Sequence, residues 1–298
     1  MHFGCGQYHT GNLAKHLPQL PPKPAQPNAQ SPMHLTKALA LLILMAFPAT
    51  AQESRLISLE TSDAGANWQA VGRLNLGDRG FCTGALIAPD LVLTAAHCLF
   101  DKETGARVAD ADIEFLAGWR NGRAEAYRGV RATVAHPDYI YSGAESLDRV
   151  AFDVALIALD QPIRLPQIVP FATDTRPAKG DEVGVVSYAK DRSEAPSLQE
   201  TCHVIDRAPD ILVFSCSVDF GASGSPIFAL RDGVMKIVSV VSAKAESDGK
   251  QVALGSVLTD SLQVLQAELA KTNGSGLNGR KVRLLSGGQA TGAKFVKP

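Results

Sequence analysis

The sequence predicts an all-β protein, a sandwich or barrel of many short strands closed by one helix. Three observations carry this. From Trp68 to Ser256 short apolar runs recur, punctuated by Gly, Pro and Asp. Stretches with helical period are nearly absent from the same region. The exception is Leu258–Ala270, where Leu258, Leu262, Leu265 and Leu269 recur at helical spacing and mark an amphipathic helix.

Taken in order, residues 1–32 are polar and proline-rich (P-P-K-P-A-Q-P), without hydrophobic period, and read as a disordered leader that is not translated. From Met33 the pattern becomes M-H-L-T-K, a ten-residue apolar core, then P-A-T-A. A basic start, a short apolar core and an A-x-A site at Ala49–Ala51 make residues 33–51 a signal peptide, with the mature chain beginning near Gln52. The rival reading is an uncleaved anchor, but the core is far short of the roughly 20 apolar residues a spanning helix needs. Strand-like runs follow at Trp68–Leu76, Phe81–Ile87, Leu91–Ala95, Arg128–Ala135, Phe152–Leu159, Glu182–Tyr188, Ile211–Ser217 and Val234–Ala243. Past the helix, residues 272–298 are Gly-rich and basic, with too little apolar content to fold, and are expected to form a mobile tail.

The 298 residues are 45% apolar and 20% charged, as in an ordinary globular protein, and the net charge is −1. That balance hides an asymmetry. Residues 271–298 carry six Lys/Arg and residues 1–51 carry three, neither with any acid, so residues 52–270 hold 20 basic against all 30 acidic residues, a net −10. An acidic body excludes nucleic acid as the expected partner. Beyond the signal peptide four cysteines remain, Cys82, Cys98, Cys202 and Cys216. An even count in an exported chain implies disulfides. Of the three possible connectivities, spacing favours Cys82–Cys98 and Cys202–Cys216. No C-x-x-C is present, and the mature histidines are only His97, His136 and His203, so no metal or other cofactor is expected.

The segment Asp219–Pro226 (D-F-G-A-S-G-S-P) sets Ser223 between glycines that permit a tight turn, with the hydroxyl exposed and backbone N–H groups able to converge on an oxyanion. A serine nucleophile needs a base near neutral pH, and His97 in L-V-L-T-A-A-H-C ends an apolar strand beside a cysteine. The base needs an orienting acid. Asp153 in A-F-D-V-A-L-I-A-L has the most apolar surroundings of any acid in the chain, where an isolated carboxylate would cost several kcal/mol. His136, before Pro137, and His203, beside Cys202, read as structural, and Ser225 as a space-filling neighbour of the nucleophile.

These segments resemble the chymotrypsin/trypsin-like serine peptidases. The similarity is carried by F-C-T-G-A-L-I-A-P-D-L-V-L-T-A-A-H-C (Phe81–Cys98), V-A-H-P-D-Y (Val134–Tyr139), F-D-V-A-L-I-A-L (Phe152–Leu159) and G-A-S-G-S-P (Gly221–Pro226), in the order His, Asp, Ser. It spans about residues 56–270. It implies two six-stranded antiparallel β-barrels of the chymotrypsin type, the first at about 56–170 and the second at about 180–257, with the helix at 258–270, all within a domain of residues 52–271. The implied site is a triad of His97, Asp153 and Ser223, an oxyanion hole of the Gly221 and Ser223 N–H groups, and a serine, Ser239, that leads the substrate-pairing strand and supports the aspartate. The implied activity is an exported, monomeric endopeptidase, periplasmic or extracellular, acting on peptide or protein substrates, with no membrane partner once the signal is removed.

Two departures from the family pattern matter. Many members carry Asp just before the nucleophile, where it pairs with a new N-terminal amine after activation; here the residue is Ala222. Arg55-Leu56-Ile57 stands near the usual activation site without the usual I-V-G-G. The chain is in this respect more similar to the bacterial secreted branch that includes glutamyl endopeptidases. Counting from the nucleophile puts the primary pocket's base at Ser217 and Val218 and its wall at Val240 and Val241, which implies small or medium apolar side chains before the scissile bond. Two rivals stand beside this reading. A catalytically silent relative usually lacks a triad member, and none is missing. An α/β-hydrolase would need G-x-S-x-G, the order Ser, Asp, His and alternating helices, none of which is present.

Overall fold

The computed structural model describes residues 53–141, 147–174 and 177–275; the leader, the signal peptide and residues 276–298 of the basic tail lie outside the described residues. The chain enters through β1 (Ile57–Ser58), a single helical turn α1 (Ser62–Gly65), and then β2 (Val71–Leu76), β3 (Phe81–Ala88), β4 (Leu91–Thr94), β5 (Ile113–Ala117) and β6 (Ala126–Ala135). A short helix α2 (Leu147–Ala151) precedes β7 (Ala155–Leu159). There follow β8 (Glu182–Ala189), β9 (Arg192–Arg207), β10 (Ile211–Phe214), β11 (Pro226–Arg231), β12 (Val234–Ser247), β13 (Lys250–Ser256) and the helix α3 (Ser261–Ser275).

Strands β2 to β7 close into an antiparallel barrel in the order β2-β3-β4-β7-β6-β5. Strands β9-β10-β13-β12-β11-β8 form the second, closed by pairing of β8 with β9. Closure pairs most of the strand edges within each barrel. β1 was expected with the first barrel but pairs with β9 of the second, Ile57 opposite Leu198 and Ser58 opposite Ser197. The reason is the length of β9: its 16 residues outrun β10, which covers only Val204–Arg207. The uncovered stretch takes the entering chain as a partner instead.

The strand sequences follow from where each face goes. In A-L-I-A-L (β7) every residue is buried, yet alternate residues serve different cores. Ala155, Ile157 and Leu159 point into the first barrel with Leu74, Leu86 and Phe115. Leu156 and Ala158 point outward into a layer between the barrels with Val71, Leu93, Tyr188, Phe228 and Val240. A two-core strand has no polar face and reads as a continuous apolar run rather than an alternation. Trp68 packs edge-on against Phe228 in this layer, ring centroids 5.0 Å apart. The second barrel has its own core around Val185, Leu212, Phe214, Ile227 and Val238.

Leu258, Leu262, Leu265 and Leu269 are all buried in the inter-barrel layer, as their spacing predicts. The helix is displaced toward the C-terminus from the expected 258–270. Its first i→i−4 bond runs from Leu262 N–H to Leu258 O, so Leu258 serves as the anchor ahead of the helix. Among the described residues no helix is long and apolar enough to cross a membrane. The two disulfides are Cys82–Cys98 and Cys202–Cys216, the pairs that spacing favours.

His136 occupies a structural position. It is buried, stacks on Phe152 with centroids 5.0 Å apart, and its Nδ1 accepts the Asp138 N–H at 3.3 Å. Burial pushes its pKa below the usual imidazole value, with the Asp138 carboxylate pulling the other way. The folded ring therefore resists a proton that the unfolded chain accepts. Its stabilising contribution is present above the free imidazole pKa of about 6.5 and is lost as pH falls below it. In denaturant unfolding, the stability gap between wild type and His136→Gln should narrow as pH drops from 7 to 5; parallel curves would contradict this assignment.

Candidate active site

The cleft between the barrels, about 690 Å³, is lined by His97 from the first barrel and by Ser223, Val241 and Ser242 from the second. His97 sits in a 3₁₀ turn, Ala96–Leu99, directly after β4. The Cys82–Cys98 bond ties that turn to β3, and the Phe100 N–H closes it by donating to His97 O at 3.1 Å.

Asp153 lies in the link between α2 and β7 and is 1% exposed. Its Oδ1 accepts the His97 backbone N–H at 2.8 Å, and its Oδ2 accepts His97 Nδ1–H at 2.6 Å. Oδ2 also accepts the Ser242 hydroxyl, from β12 of the other barrel. A carboxylate this deep would cost several kcal/mol if left unpaired. Here donors from both barrels offset that cost. Nδ1 faces the carboxylate, so in the neutral ring the proton sits on Nδ1 and Nε2 is left as the acceptor on the cleft side.

Sequence reasoning assigned the aspartate-supporting serine to Ser239, and the structure corrects it. Ser239 is fully buried and donates to Ser256 O at 2.8 Å. Ser242 takes the role instead. The two serines lie in the same strand, S-V-V-S, and local pattern cannot separate them. The usable signal is pairing: Val241 exchanges backbone bonds with the serine loop through Gly224 N–H to Val241 O (2.7 Å) and Val241 N–H to Ser225 O (2.9 Å). The residue after Val241 is then the one that reaches Asp153.

The turn carrying Ser223 is built from Ala222 N–H to Asp219 O (2.9 Å) and Ser225 N–H to Ala222 O (3.0 Å). Its flanking glycines are required. Gly221 has φ +95°, and a Cβ there would fall 2.4 Å from the Phe81 ring. Gly224 has φ +75°, and a Cβ would meet Thr94 Oγ1 at 2.1 Å and Thr83 O at 2.4 Å. Any other residue would have to displace the first barrel from the serine loop. Among the described residues the N–H groups of Gly221 and Ser223 have no protein acceptor, whereas their carbonyl oxygens both bond Thr83, Gly221 O to Thr83 Oγ1 at 3.0 Å and Ser223 O to Thr83 N–H at 2.9 Å. Ala222 is buried in the core of the second barrel.

Of the expected pocket residues, Val218 and Val241 line the cleft. Ser217 does not: its side chain is exposed and its N–H donates to Gln199 Oε1 at 2.7 Å. Val240 does not either, because it faces the inter-barrel layer. The wall runs on instead through Ser242, Ala243 and Lys244. Asp219 lies half-exposed at the cleft with a carboxylate oxygen 3.7 Å from Lys244 Nζ. His203 is part of β9, and its backbone bonds Ser215. Potential donor atoms of Cys82, His97 and Cys98 lie within 4.8 Å of one another. The two sulfurs are bonded together, so only one imidazole remains and the group does not fit a metal.

A sequence model of the trypsin-like peptidase domain matches residues 82–235. A glutamyl endopeptidase of Bacillus licheniformis is 28% identical over 150 residues, covering 50% of this chain and 45% of that protein. Vitamin K-dependent protein C of Rattus norvegicus is 32% identical over 112 residues, covering 37% and 22%. The chain thus spans less than half the length of these curated relatives. A solved Glu endopeptidase in complex with MPD shares the fold at a TM-score of 0.60 and 18% identity, covering 74% of this chain and 98% of that one. With the peptidase-domain model matching just over half of its residues, the chain belongs to the chymotrypsin/trypsin-like serine peptidase family.

Proposed function

We propose that the protein is an exported serine endopeptidase that works through Ser223, His97 and Asp153. The observation that carries this is the Asp153–His97 pair, which in the neutral ring leaves Nε2 as an acceptor in the cleft that Ser223 also lines. Ser223 Oγ attacks the substrate carbonyl carbon while Nε2 takes the hydroxyl proton. The carbonyl π pair moves to oxygen, and the unpartnered N–H groups of Gly221 and Ser223 bind the resulting oxyanion. Collapse expels the amine, which takes the proton back from Nε2, and leaves an acyl group on Ser223. A water activated by the same nitrogen then hydrolyses that ester. Asp153 fixes the tautomer throughout and stabilises the imidazolium.

For specificity we propose small or medium apolar side chains before the scissile bond. Val218 and Val241 narrow the pocket, and the nearby acid, Asp219, is already beside Lys244. A strict Lys or Arg preference would need an acid free to meet a buried cation. Export rests on the sequence of residues 33–51 and is supported by the two disulfides, which persist in oxidising compartments. We take the mature domain as residues 52–271, followed by the basic tail.

The test is a peptide library incubated with the mature 52–298 form and mapped by mass spectrometry, alongside fluorophosphonate labelling. Cleavage should fall about 10⁶-fold in Ser223→Ala, to the assay floor, and labelling should vanish with it. An unlabelled, inactive wild type would favour a silent relative, and a profile dominated by Arg or Lys would overturn the pocket assignment.

Activity is further proposed to need no cleavage after Arg55. An ion pair cannot form on Ala222, and the segment around Arg55 is already engaged. Ser54 N–H donates to Thr201 O at 2.9 Å, Ser54 Oγ accepts the Thr201 N–H at 2.8 Å, and Ser54 O accepts Gln199 Nε2 at 2.9 Å. A form beginning at Leu56 should therefore be no more active than one beginning at Gln52. A large gain, abolished by blocking the new amine, would sink the proposal.

A further inference from the structure

We propose that Thr83 is a positioning residue that holds the oxyanion-binding turn in its working shape, doing through neutral hydrogen bonds what a charged pair would otherwise do; the proposal rests on the peptidase reading above. Thr83 lies in β3, fully buried, and all four of its polar functions are used. Its N–H donates to Ser223 O at 2.9 Å, and its carbonyl accepts the Thr94 hydroxyl at 2.8 Å. Its Oγ1 accepts the Tyr188 N–H at 3.1 Å, so the hydroxyl proton is directed to Gly221 O, 3.0 Å away.

The Phe220 carbonyl accepts the Lys190 N–H at 2.8 Å, which aims the trans N–H of Gly221 the opposite way. The next peptide is held at both ends, Gly221 O by Thr83 Oγ1 and Ala222 N–H by Asp219 O. Ala222 O is held by Ser225 N–H, which aims the Ser223 N–H outward. The Ser223–Gly224 peptide is again held at both ends, by Thr83 N–H and by Val241 O. Only the N–H groups of Gly221 and Ser223 remain without a protein partner among the described residues. The Lys190 bond to Phe220 O sets the direction of the Gly221 N–H. Glycine at φ +95° could rotate the Gly221–Ala222 peptide at little steric cost, so an external anchor on Gly221 O holds that peptide between the Gly221 and Ser223 N–H groups. Ala222, buried and uncharged, supplies none.

Thr83 also couples the turn to the base. It follows Cys82, which is bonded to Cys98 next to His97. The same hydroxyl engages Tyr188 N–H, two residues before the Lys190 N–H that holds Phe220 O. One buried hydroxyl thus ties the serine turn to β3 and to the end of β8.

Thr83→Val keeps the shape and the backbone bonds but removes the hydroxyl; Thr83→Ser restores it. For Thr83→Val, kcat should fall roughly 10- to 100-fold with KM within about threefold, because the lost interaction acts on the transition state. Affinity for a peptide boronate, which forms a tetrahedral adduct, should fall in parallel, and Thr83→Ser should recover within about threefold of wild type. Denaturant unfolding of each variant checks that it folds. A crystal structure of Thr83→Val gives a readout that needs no turnover: the Gly221–Ala222 peptide should be rotated from its wild-type orientation. Wild-type kcat in Thr83→Val, a loss confined to KM, no rescue by Ser, or an unchanged turn would each overturn the proposal. A rotated turn in a protein whose wild type neither cleaves nor labels would instead remove the peptidase reading and leave the positioning role standing.

Discussion

The site depends on one buried carboxylate, Asp153, that the two barrels share. Its oxygens receive two donors from His97 of the first barrel and one from Ser242 of the second. Burying that group alone would be costly, so each barrel contributes something the other needs. The consequence is geometric. The imidazole is fixed relative to strand β12, and β12 also bonds the serine loop through Val241. A pair of barrels that slid against one another would lose the carboxylate's Ser242 donor before it lost its apolar contacts. The polar set therefore specifies a register that the inter-barrel layer of Leu, Val and aromatic residues does not specify by itself.

Around this centre the chain relies on neutral groups. Ala222 stands where many relatives of this fold family use a charged residue, and it is packed into the second barrel's core. The turn is instead held by its own backbone bonds, by contacts with β3, and by glycines whose missing side chains let Phe81, Thr83 and Thr94 approach. The N-terminal stretch acts as an extra strand on β9.

What was legible in the sequence was whatever the chain encodes locally. The disulfide pairs, the paired His97 in T-A-A-H-C and Asp153 in F-D-V-A-L, and the tight Gly-flanked turn around Ser223 each carry their meaning within a few residues, and the helix announces itself by its leucine spacing. The long strand β9 does not. Its sequence, R-S-E-A-P-S-L-Q-E-T-C-H-V-I-D-R, alternates weakly and contains Pro196, because its partners are β8, β10 and the entering chain rather than a uniform core. Ser242 and the true lining of the pocket were missed for a related reason. Which residue of β12 faces Asp153 depends on a register shift between Val241 and Ala243, and such a shift leaves no mark in the pattern of S-V-V-S-A. Val240 likewise looked like a pocket wall and is instead a ceiling for the inter-barrel layer.

The central claim is that Asp153 holds the His97 proton on Nδ1. The most direct measurement is the low-field proton spectrum of the folded protein, where an imidazole N–H in a short bond to a carboxylate is strongly deshielded. The account predicts one such resonance in wild type and in Ser223→Ala, absent from His97→Gln and from Asp153→Asn. Its absence from wild type, or its persistence in Asp153→Asn, would contradict the account.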